Sequence, residues 1–256
     1  ATYSWPGGID EVAFWDGVLD TGSIANLASG AKANAITTTT GSATPGSWVA
    51  GVSGSYALQF DGSNDYVTMG AANSAASNAL QPSSGTYAAW VKPDDQTPIS
   101  VIMGAGSTLD PTSTANSKHG PNLYACFSTG KLMANLGDNT RYAYEISNTP
   151  LLAGTWYHVA MTWNSTFSTR SDLKVYINGV DAAGTAGADF SGQSVTSAKA
   201  NHQFLIGAKT TVRDFFDGAI DDATVWDVRL DAAALLSIAN GSASPSAVSS
   251  SNLVAY

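Results

Sequence analysis

Short runs in which apolar and polar residues alternate follow one another along most of the chain, with turn residues between them. Alternation with a period of two is typical of a β-strand that buries one face. One run, 173–177, leads directly into Asn178-Gly179, the strongest short signal for a β-hairpin. The pattern therefore predicts an antiparallel all-β protein. The predicted strands are 57–60, 66–69, 86–91, 100–103, 123–128, 131–136, 141–146, 157–163, 173–177, 204–206 and 219–226.

One segment near the C-terminus departs from this pattern and predicts a short helix. Asp231 can cap its N-terminus, because a carboxylate accepts hydrogen bonds from the free backbone N–H groups of the first turn. Residues 232–240 form the body, and Gly241 can end the helix in the left-handed conformation.

A repeat connects the two ends of the chain. Residues 7–20 match residues 218–231 at one constant offset, and Gly, Ile, Asp, Trp, Asp, Leu and Asp coincide, including Trp15 with Trp226. Repetition at domain length predicts that modules of this kind occur in tandem.

Composition and charge narrow the function classes. The 256 residues carry 11 Lys+Arg against 20 Asp+Glu, a net charge of -9, and only 12% of them are charged. In a typical globular chain about a quarter of the residues are charged. An acidic chain without a basic stripe excludes nucleic acid as a partner. No apolar run approaches the roughly 18 residues of a membrane span, so membrane insertion is not expected. The single cysteine, Cys126, excludes an internal disulfide.

Residues 156–165, W-Y-H-V-A-M-T-W-N-S, closely resemble the pentraxin pattern His-x-Cys-x-Ser/Thr-Trp-x-Ser, with Ala160 in place of the cysteine. The order of the strands over roughly 48–241 is similar to that of the laminin-G-like (LamG) and pentraxin superfamily. The resemblance implies a concanavalin A-like jelly roll, a β-sandwich of two antiparallel sheets, with one short C-terminal helix. The residues that fit the pentraxin pattern are His158, Thr162, Trp163 and Ser165.

This resemblance also divides the chain. Residues 47–241 are expected to form the LamG-like jelly-roll domain. Residues 1–46 are similar to the last strand and helix of a preceding or exchanged module, followed by a linker. Residues 242–256 are expected to be a linker ending in the first strand of a next module, because S-N-L-V-A-Y resembles such a strand. The alternative is one module whose terminal strands are permuted or exchanged with its neighbours.

The acidic residues do not support an enzyme. Hydrolases that resemble this fold place two Glu on one strand, whereas Glu11 and Glu145, the only two here, are far apart. The adjacent Asp221 and Asp222 are expected to point to opposite faces of a strand and so not to cooperate. No Gly-x-Ser-x-Gly elbow occurs. His158 is predicted to be a buried structural residue.

Calcium is the cofactor that the resemblance implies, because relatives often hold it at the rim of the sandwich with loop oxygen ligands. The two corresponding loops are 110–122 and 208–214, and the second carries Lys209 and Arg213 instead of acids, so we expect the pentraxin site to be lost. An alternative for the loop 61–65 is a turn in which side chains cap their own backbone. The candidate calcium ligands are Asp61, Asn64 and Asp65 in one loop and Asp110, Asn116 and Asn122 in the other.

Glycan binding in such folds uses exposed aromatic rings. Tyr124, Tyr142 and Tyr144 have the spacing to share one face, and Trp90 and Trp48 are additional candidates. The alternative is that most aromatic rings belong to the core. The sequence predicts this in particular for Trp156, Trp163 and Trp226.

Two hypotheses of function follow. The preferred one is a non-catalytic LamG-like structural or adhesive module of an outward-facing assembly, such as a virion decoration or tail-fibre protein or a cell-surface adhesin. Neighbouring copies or modules of the same protein are its expected partners, with surface glycans as a further ligand. The alternative is a calcium-assisted, lectin-like module that targets a neighbouring enzyme or receptor domain. Both imply an extracellular or virion-surface location.

Overall fold

A computed structural model of the chain describes residues 48–52, 56–71, 74–95, 99–105, 120–126, 130–137, 142–167, 169–188, 193–194, 203–209 and 214–255. The first copy of the repeat and the whole of the segment 1–46 lie outside these residues, as do Asp110 and Asn116. The predictions for those parts of the chain stay predictions.

The described residues form two antiparallel sheets, which confirms the predicted β-sandwich. The strands are β1 (Trp48–Val49), β2 (Ala57–Asp61), β3 (Val67–Thr68), β4 (Gly85–Pro93), β5 (Ser100–Gly104), β6 (Asn122–Cys126), β7 (Lys131–Gly137), β8 (Tyr142–Pro150), β9 (Tyr157–Trp163), β10 (Thr166–Phe167), β11 (Leu173–Ile177), β12 (Val180–Asp181), β13 (Ala183–Ala188), β14 (Gln193–Ser194), β15 (Leu205–Ile206), β16 (Asp217–Trp226) and β17 (Leu253–Ala255).

One sheet has eight strands in the order β1-β2-β16-β4-β9-β11-β12, with β17 also paired to β16. The other has seven strands in the order β13-β8-β7-β6-β5-β15-β3, and β10 and β14 form a separate two-stranded ribbon. Each predicted strand overlaps an observed one. The predicted hairpin joins β11 to β12, and both of its turn residues, Asn178 (φ 52°) and Gly179 (φ 78°), have the positive φ of a type I′ turn.

The predicted helix is present, and the described residues contain two shorter α-helices, α1 (Ala75–Ala79) and α3 (Pro245–Val248). The predicted helix, α2 (Ala232–Ala239), begins where Asp231 accepts a 2.8 Å hydrogen bond from Ala234 N–H. It covers the outer face of the eight-stranded sheet, where its buried Leu235 packs with Trp226. Within the described ranges no helix is long and apolar enough to span a membrane.

Aromatic rings fill the space between the sheets. Tyr87 makes edge-to-face contacts with Trp163 at 4.8 Å and with Phe204 at 5.5 Å between ring centroids. Trp163 and Trp226 are fully buried, which confirms that these two belong to the core. The same prediction was wrong for Trp156, which is partly exposed because it precedes β9 on the outer side of its sheet.

Strand β16 contains an irregularity that the sequence did not predict. Its register with β4 shifts between Asp221 and Thr224, and Asp222 adopts a positive φ of 46°. This β-bulge inserts an extra residue, so the simple alternation expected for Asp221 and Asp222 was wrong. Beyond the bulge β16 pairs with Leu253–Ala255, so the predicted C-terminal strand exists and adds to this sandwich. A next module after it stays a prediction.

Glu145 lies at one edge of the sandwich, where Arg170 holds its carboxylate. The carboxylate is fully buried and accepts hydrogen bonds from Arg170 Nε at 2.7 Å and Nη2 at 2.5 Å, and from Gly184 N–H at 3.0 Å. A two-pronged guanidinium contact of this kind ties the ordered turn at 170–172 to β8 and β13.

Replacing Arg170 with Ala should therefore destabilise the protein by about 2 kcal/mol, because a buried carboxylate keeps only one backbone donor. We expect less than the usual loss for a buried pair because the Arg170 side chain is 48% exposed. Urea denaturation measures the change. Lys174→Ala is the control: its pair with Asp181 is more exposed, so the loss should stay below about 1 kcal/mol. Equal losses in both variants would contradict the special role of Arg170.

Candidate functional site

Two tryptophans and their neighbours form a patch on the outer face of the eight-stranded sheet. Val91 points into the core, so Trp90 and Lys92, on either side of it in β4, point outward. Trp90 lies opposite His158 of β9, and their ring centroids are 5.5 Å apart at 67°. Lys92 Nζ is 5.7 Å from the centroid of the Trp156 ring. We call Trp90, Lys92, Trp156 and His158 the tryptophan surface.

The surface combines rings with polar groups. Trp90, Lys92 and Trp156 are partly exposed. On the other side of Lys92, the buried Ala219 of β16 separates it from Gln59 of β2. The Gln59 amide donates a 2.6 Å hydrogen bond to Asp94. Because the Ala219 side chain is short, it leaves a shallow depression in the sheet surface between Lys92 and Gln59, beside the rings.

His158 lies beneath this surface and is only 2% exposed, which confirms that it is buried. Its backbone N–H donates to the Asn178 side chain at 3.0 Å, so the hairpin turn is held against β9. Its ring Nδ1 is buried and has no hydrogen-bond partner among the described residues. Burial lowers the pKa of His158 to about 4, so the ring is neutral at pH 7.

The predicted tyrosine face lies on the other sheet. Tyr124 and Tyr144 do share one side, where they pack with Met133. However, Tyr124 is fully buried and its hydroxyl lies 3.5 Å from the Asn135 amide, so its ring cannot stack on a ligand from solvent. The prediction that Tyr124 binds a glycan was therefore wrong, and Tyr124 belongs to the core. Burial raises the pKa of its hydroxyl.

The other predicted aromatic residues are not brought together with this tyrosine pair. Tyr144 is partly exposed, and Tyr142 begins the same strand, although its side chain is outside the described part of the structure. Trp90 is in β4 of the opposite sheet. Trp156, which completes the surface around Trp90, could have been found from the sequence, because it precedes His158 by two residues and alternation puts both on one face.

The loop at 61–65 uses its oxygens to cap its own backbone. Asp61 Oδ1 accepts hydrogen bonds from Ser63 N–H at 2.8 Å and Asn64 N–H at 3.2 Å, and Asp65 Oδ2 accepts one from Asp61 N–H at 3.1 Å. This is the turn that was the alternative to calcium binding. The described part of the chain contains no group of three His, Cys, Asp or Glu side chains arranged to hold a metal ion.

The loops that the resemblance assigns to calcium have a different chemistry. Asn122 is buried and its amide donates to Gly120 O at 2.8 Å and Asn135 Oδ1 at 3.0 Å. The Lys209 side chain is 1% exposed, with Nζ 3.9 Å from Asp214 Oδ2. A buried ammonium group beside the acid repels a metal cation, so the described residues of these loops do not fit a pentraxin-like calcium site.

Carboxylates do come together at one end of β16. Asp217 lies directly opposite Asp61 of β2. Burial raises the pKa of Asp217, and the negative charges of Asp95, Asp94 and Asp61 raise it further. The four carboxylates therefore repel one another at neutral pH.

Two other buried carboxylates, Glu145 and Asp221, act as structural hydrogen-bond acceptors. Glu145 is bound by Arg170, and the oxygens of Asp221 accept hydrogen bonds from Val52 N–H and Asp222 N–H, both at 2.9 Å. Carboxylates held as structural acceptors are poorly placed to act as general acid and base.

The family model described as the concanavalin A-like lectin/glucanases superfamily, of laminin G type, matches residues 60–235. A search of curated proteins found no match.

Solved structures share the fold at low sequence identity. Domain 4 of AbnA, an extracellular arabinanase from Geobacillus stearothermophilus in complex with arabinotriose, has a TM-score of 0.51 and 18% identity, over 77% of this chain and 82% of that one. The Ruminococcus gnavus sialidase module CBM40 bound to α2,3-sialyllactose has a TM-score of 0.54 and 14% sequence identity. The match covers 72% of this chain and 96% of that one. The enzymatically active domain of tailspike protein 2 of bacteriophage CBA120 has a TM-score of 0.57 and 18% sequence identity. The match covers 84% of this chain and 32% of that one.

The low pKa of His158 predicts a loss of stability in mild acid. The unfolded ring titrates near 6.5 and the folded ring at about 4, so the unfolded state binds more protons between these values. Stability should fall by about 2 kcal/mol between pH 7 and pH 5 from this residue alone. In His158→Gln that fall should be smaller by the same amount, as measured by urea denaturation at both pH values. Parallel pH profiles of the two proteins would contradict the prediction.

The raised pKa of Asp217 predicts the opposite dependence of stability on pH: lowering the pH removes a cost. A carboxyl group whose folded pKa is raised costs stability while ionised, and the cost disappears as the pH falls through that pKa. At pH 7, Asp217→Asn should gain about 0.5 kcal/mol, the range for like charges directly opposite in a sheet, or about 1–2 °C in Tm. Calorimetry should show the gain shrinking as the pH falls through the raised pKa of Asp217 towards the ordinary carboxyl range, and also at high ionic strength. A gain that is independent of pH and salt would exclude charge repulsion as its cause.

Proposed function

The chain belongs to the concanavalin A-like lectin/glucanases superfamily, and on that premise we propose that it is a non-catalytic glycan-binding module. The observation that carries the proposal is the tryptophan surface, where two indole rings on neighbouring strands are partly open to solvent.

The chemistry of this surface suits a sugar. One face of a pyranose ring is lined by C–H groups and packs on an aromatic ring, while the hydroxyls at its rim need hydrogen-bond partners. Trp90 and Trp156 supply the rings. Lys92, between them and Gln59, supplies donors beside the rings, with the Asp94 carboxylate as an acceptor next to Gln59.

His158 supports the rings from below. A neutral imidazole packed edge-on against Trp90 fixes the angle of the indole without placing a second cation under it. A ring that is already ordered before binding loses less conformational entropy when a ligand stacks on it.

The charge of the chain favours uncharged glycans. With a net charge of -9, the protein repels polyanions such as sulfated polysaccharides at long range. Lys92 adds one positive charge at the surface itself. A neutral oligosaccharide meets no such long-range repulsion, and its hydroxyls can accept hydrogen bonds from Lys92.

Two of the structures with this fold were solved with a sugar, arabinotriose in one and the acidic sialyllactose in the other, which supports a glycan ligand in general. For the wider role we propose an adhesive or structural module of an outward-facing assembly, such as a virion fibre or a cell surface. The tailspike domain with the same fold is an example of such a setting. Neighbouring copies of the module would then bind a multivalent surface with a higher avidity than one module alone.

The test is a glycan array followed by calorimetric titration with the best neutral oligosaccharide. Trp90→Ala and Trp156→Ala should each weaken binding at least about tenfold, because each removes one stacking surface. Tyr144→Ala is the matched control on the opposite sheet and should bind like the wild type. Circular dichroism and Tm confirm that the variants are folded.

Loss of binding in Tyr144→Ala alone would move the site to the tyrosine face and contradict the proposal. Repeating the titration with Ca²⁺ and with EGTA decides the calcium-assisted alternative: we expect equal affinities, because the Asp61 loop already uses its oxygens as backbone acceptors. Affinity that disappears in EGTA would favour the alternative.

A further inference from the structure

A cavity of about 380 Å³ opens at the edge of the sandwich where the two sheets end in β1 and β3. We call it the edge cavity. Its volume is within the range of pockets that hold small molecules, about 300–1,000 Å³. None of its lining residues belongs to the tryptophan surface. It therefore shares no residue with that surface, although Asp221 at its wall pairs with Trp90.

Both sheets contribute apolar walls to the edge cavity. Water in such a space finds few hydrogen-bond partners, so an apolar group gains by replacing it. Trp48 and Tyr56 add two partly exposed aromatic rings. The walls are Leu58, Phe60 and Ile220 from the eight-stranded sheet and Val67, Met69 and Ile206 from the seven-stranded sheet.

The bulge in β16 brings two carboxylates to this apolar space. Asp221 and Asp222 both line the cavity, at the point where the register of β16 with β4 shifts. Asp221 is fixed by the backbone hydrogen bonds from Val52 and Asp222. Asp222, the residue with positive φ, is partly exposed at the same wall. No Lys or Arg is among the residues that line the cavity.

We propose that the edge cavity binds a small molecule with an apolar or aromatic body and one cationic amine. The apolar walls accept the body, and the partly exposed Asp222 carboxylate accepts hydrogen bonds from the ammonium group. Asp221, whose oxygens already accept from backbone N–H groups, adds its negative charge. The partly apolar surroundings strengthen that ion pair relative to one in water. The negative net charge of the chain raises the local concentration of a cation in addition.

The experiment compares 2-phenylethylamine, which is cationic at pH 7.5, with the neutral 2-phenylethanol. Methyl NMR of the full chain with labelled methionine reports binding at Met69, which lines the cavity. Both probes should shift the Met69 signal, and the amine should bind at least about fivefold more tightly than the alcohol.

Three variants assign the effect. Asp222→Asn should reduce the affinity for the amine to that for the alcohol, and asparagine tolerates the positive φ of this position. Asp227→Asn removes an exposed acid just beyond β16 and should change neither affinity. Ile206→Phe fills the cavity and should weaken both probes. Met69 signals unaffected by both probes would overturn the cavity as a site. Equal affinities for the amine and the alcohol in the wild type would overturn the ligand class.

Discussion

Backbone pairing along β16 is the constraint on which the rest of the sandwich depends. On one edge this strand pairs with β4 from Gly218 to Trp226, and on the other edge it pairs first with β2 and then with β17. Strands distant in sequence are thereby held in one sheet. The helix α2 follows directly from β16, and its packing on Trp226 covers the same sheet from outside. Removing β16 would separate β2 from β4 and open the core beneath Ile220 and Val225.

The two proposed sites meet at the bulge in β16, because Asp221 lines the edge cavity and pairs with Trp90 of β4. Between β4 and β9 the register is regular, so Trp90 and His158 stand opposite each other and alternation carries their side chains to the outer face. At the bulge the register shifts, and Asp221 and Asp222 both reach the edge cavity. Regular pairing therefore builds the flat aromatic surface, and the irregularity builds the charged wall.

The two sites also differ in the physical basis of binding. The tryptophan surface is open, combines rings with hydrogen-bonding side chains, and suits a glycan chain that stays largely hydrated. The edge cavity lies between the sheets, is walled by apolar side chains and carries two negative charges, which suits a small amphipathic cation. A module with both could attach to a surface through one site and respond to a small molecule through the other. The negative net charge of the chain affects binding at both sites: it repels polyanions from the tryptophan surface and attracts cations to the edge cavity.

The sequence by itself determined the strands and the capped helix, because alternation, Asn178-Gly179 and Asp231 are local signals that depend on near neighbours alone. The family followed from the resemblance of residues 156–165 and of the strand order. The sequence also identified Trp90 and the burial of His158. Only the tertiary structure decided that Tyr124 is core and Trp156 is partly exposed, because alternation assigns a side of a sheet and not what covers that side. The edge cavity was likewise not predictable, because it forms between strands of both sheets beside a register shift that no local signal marks.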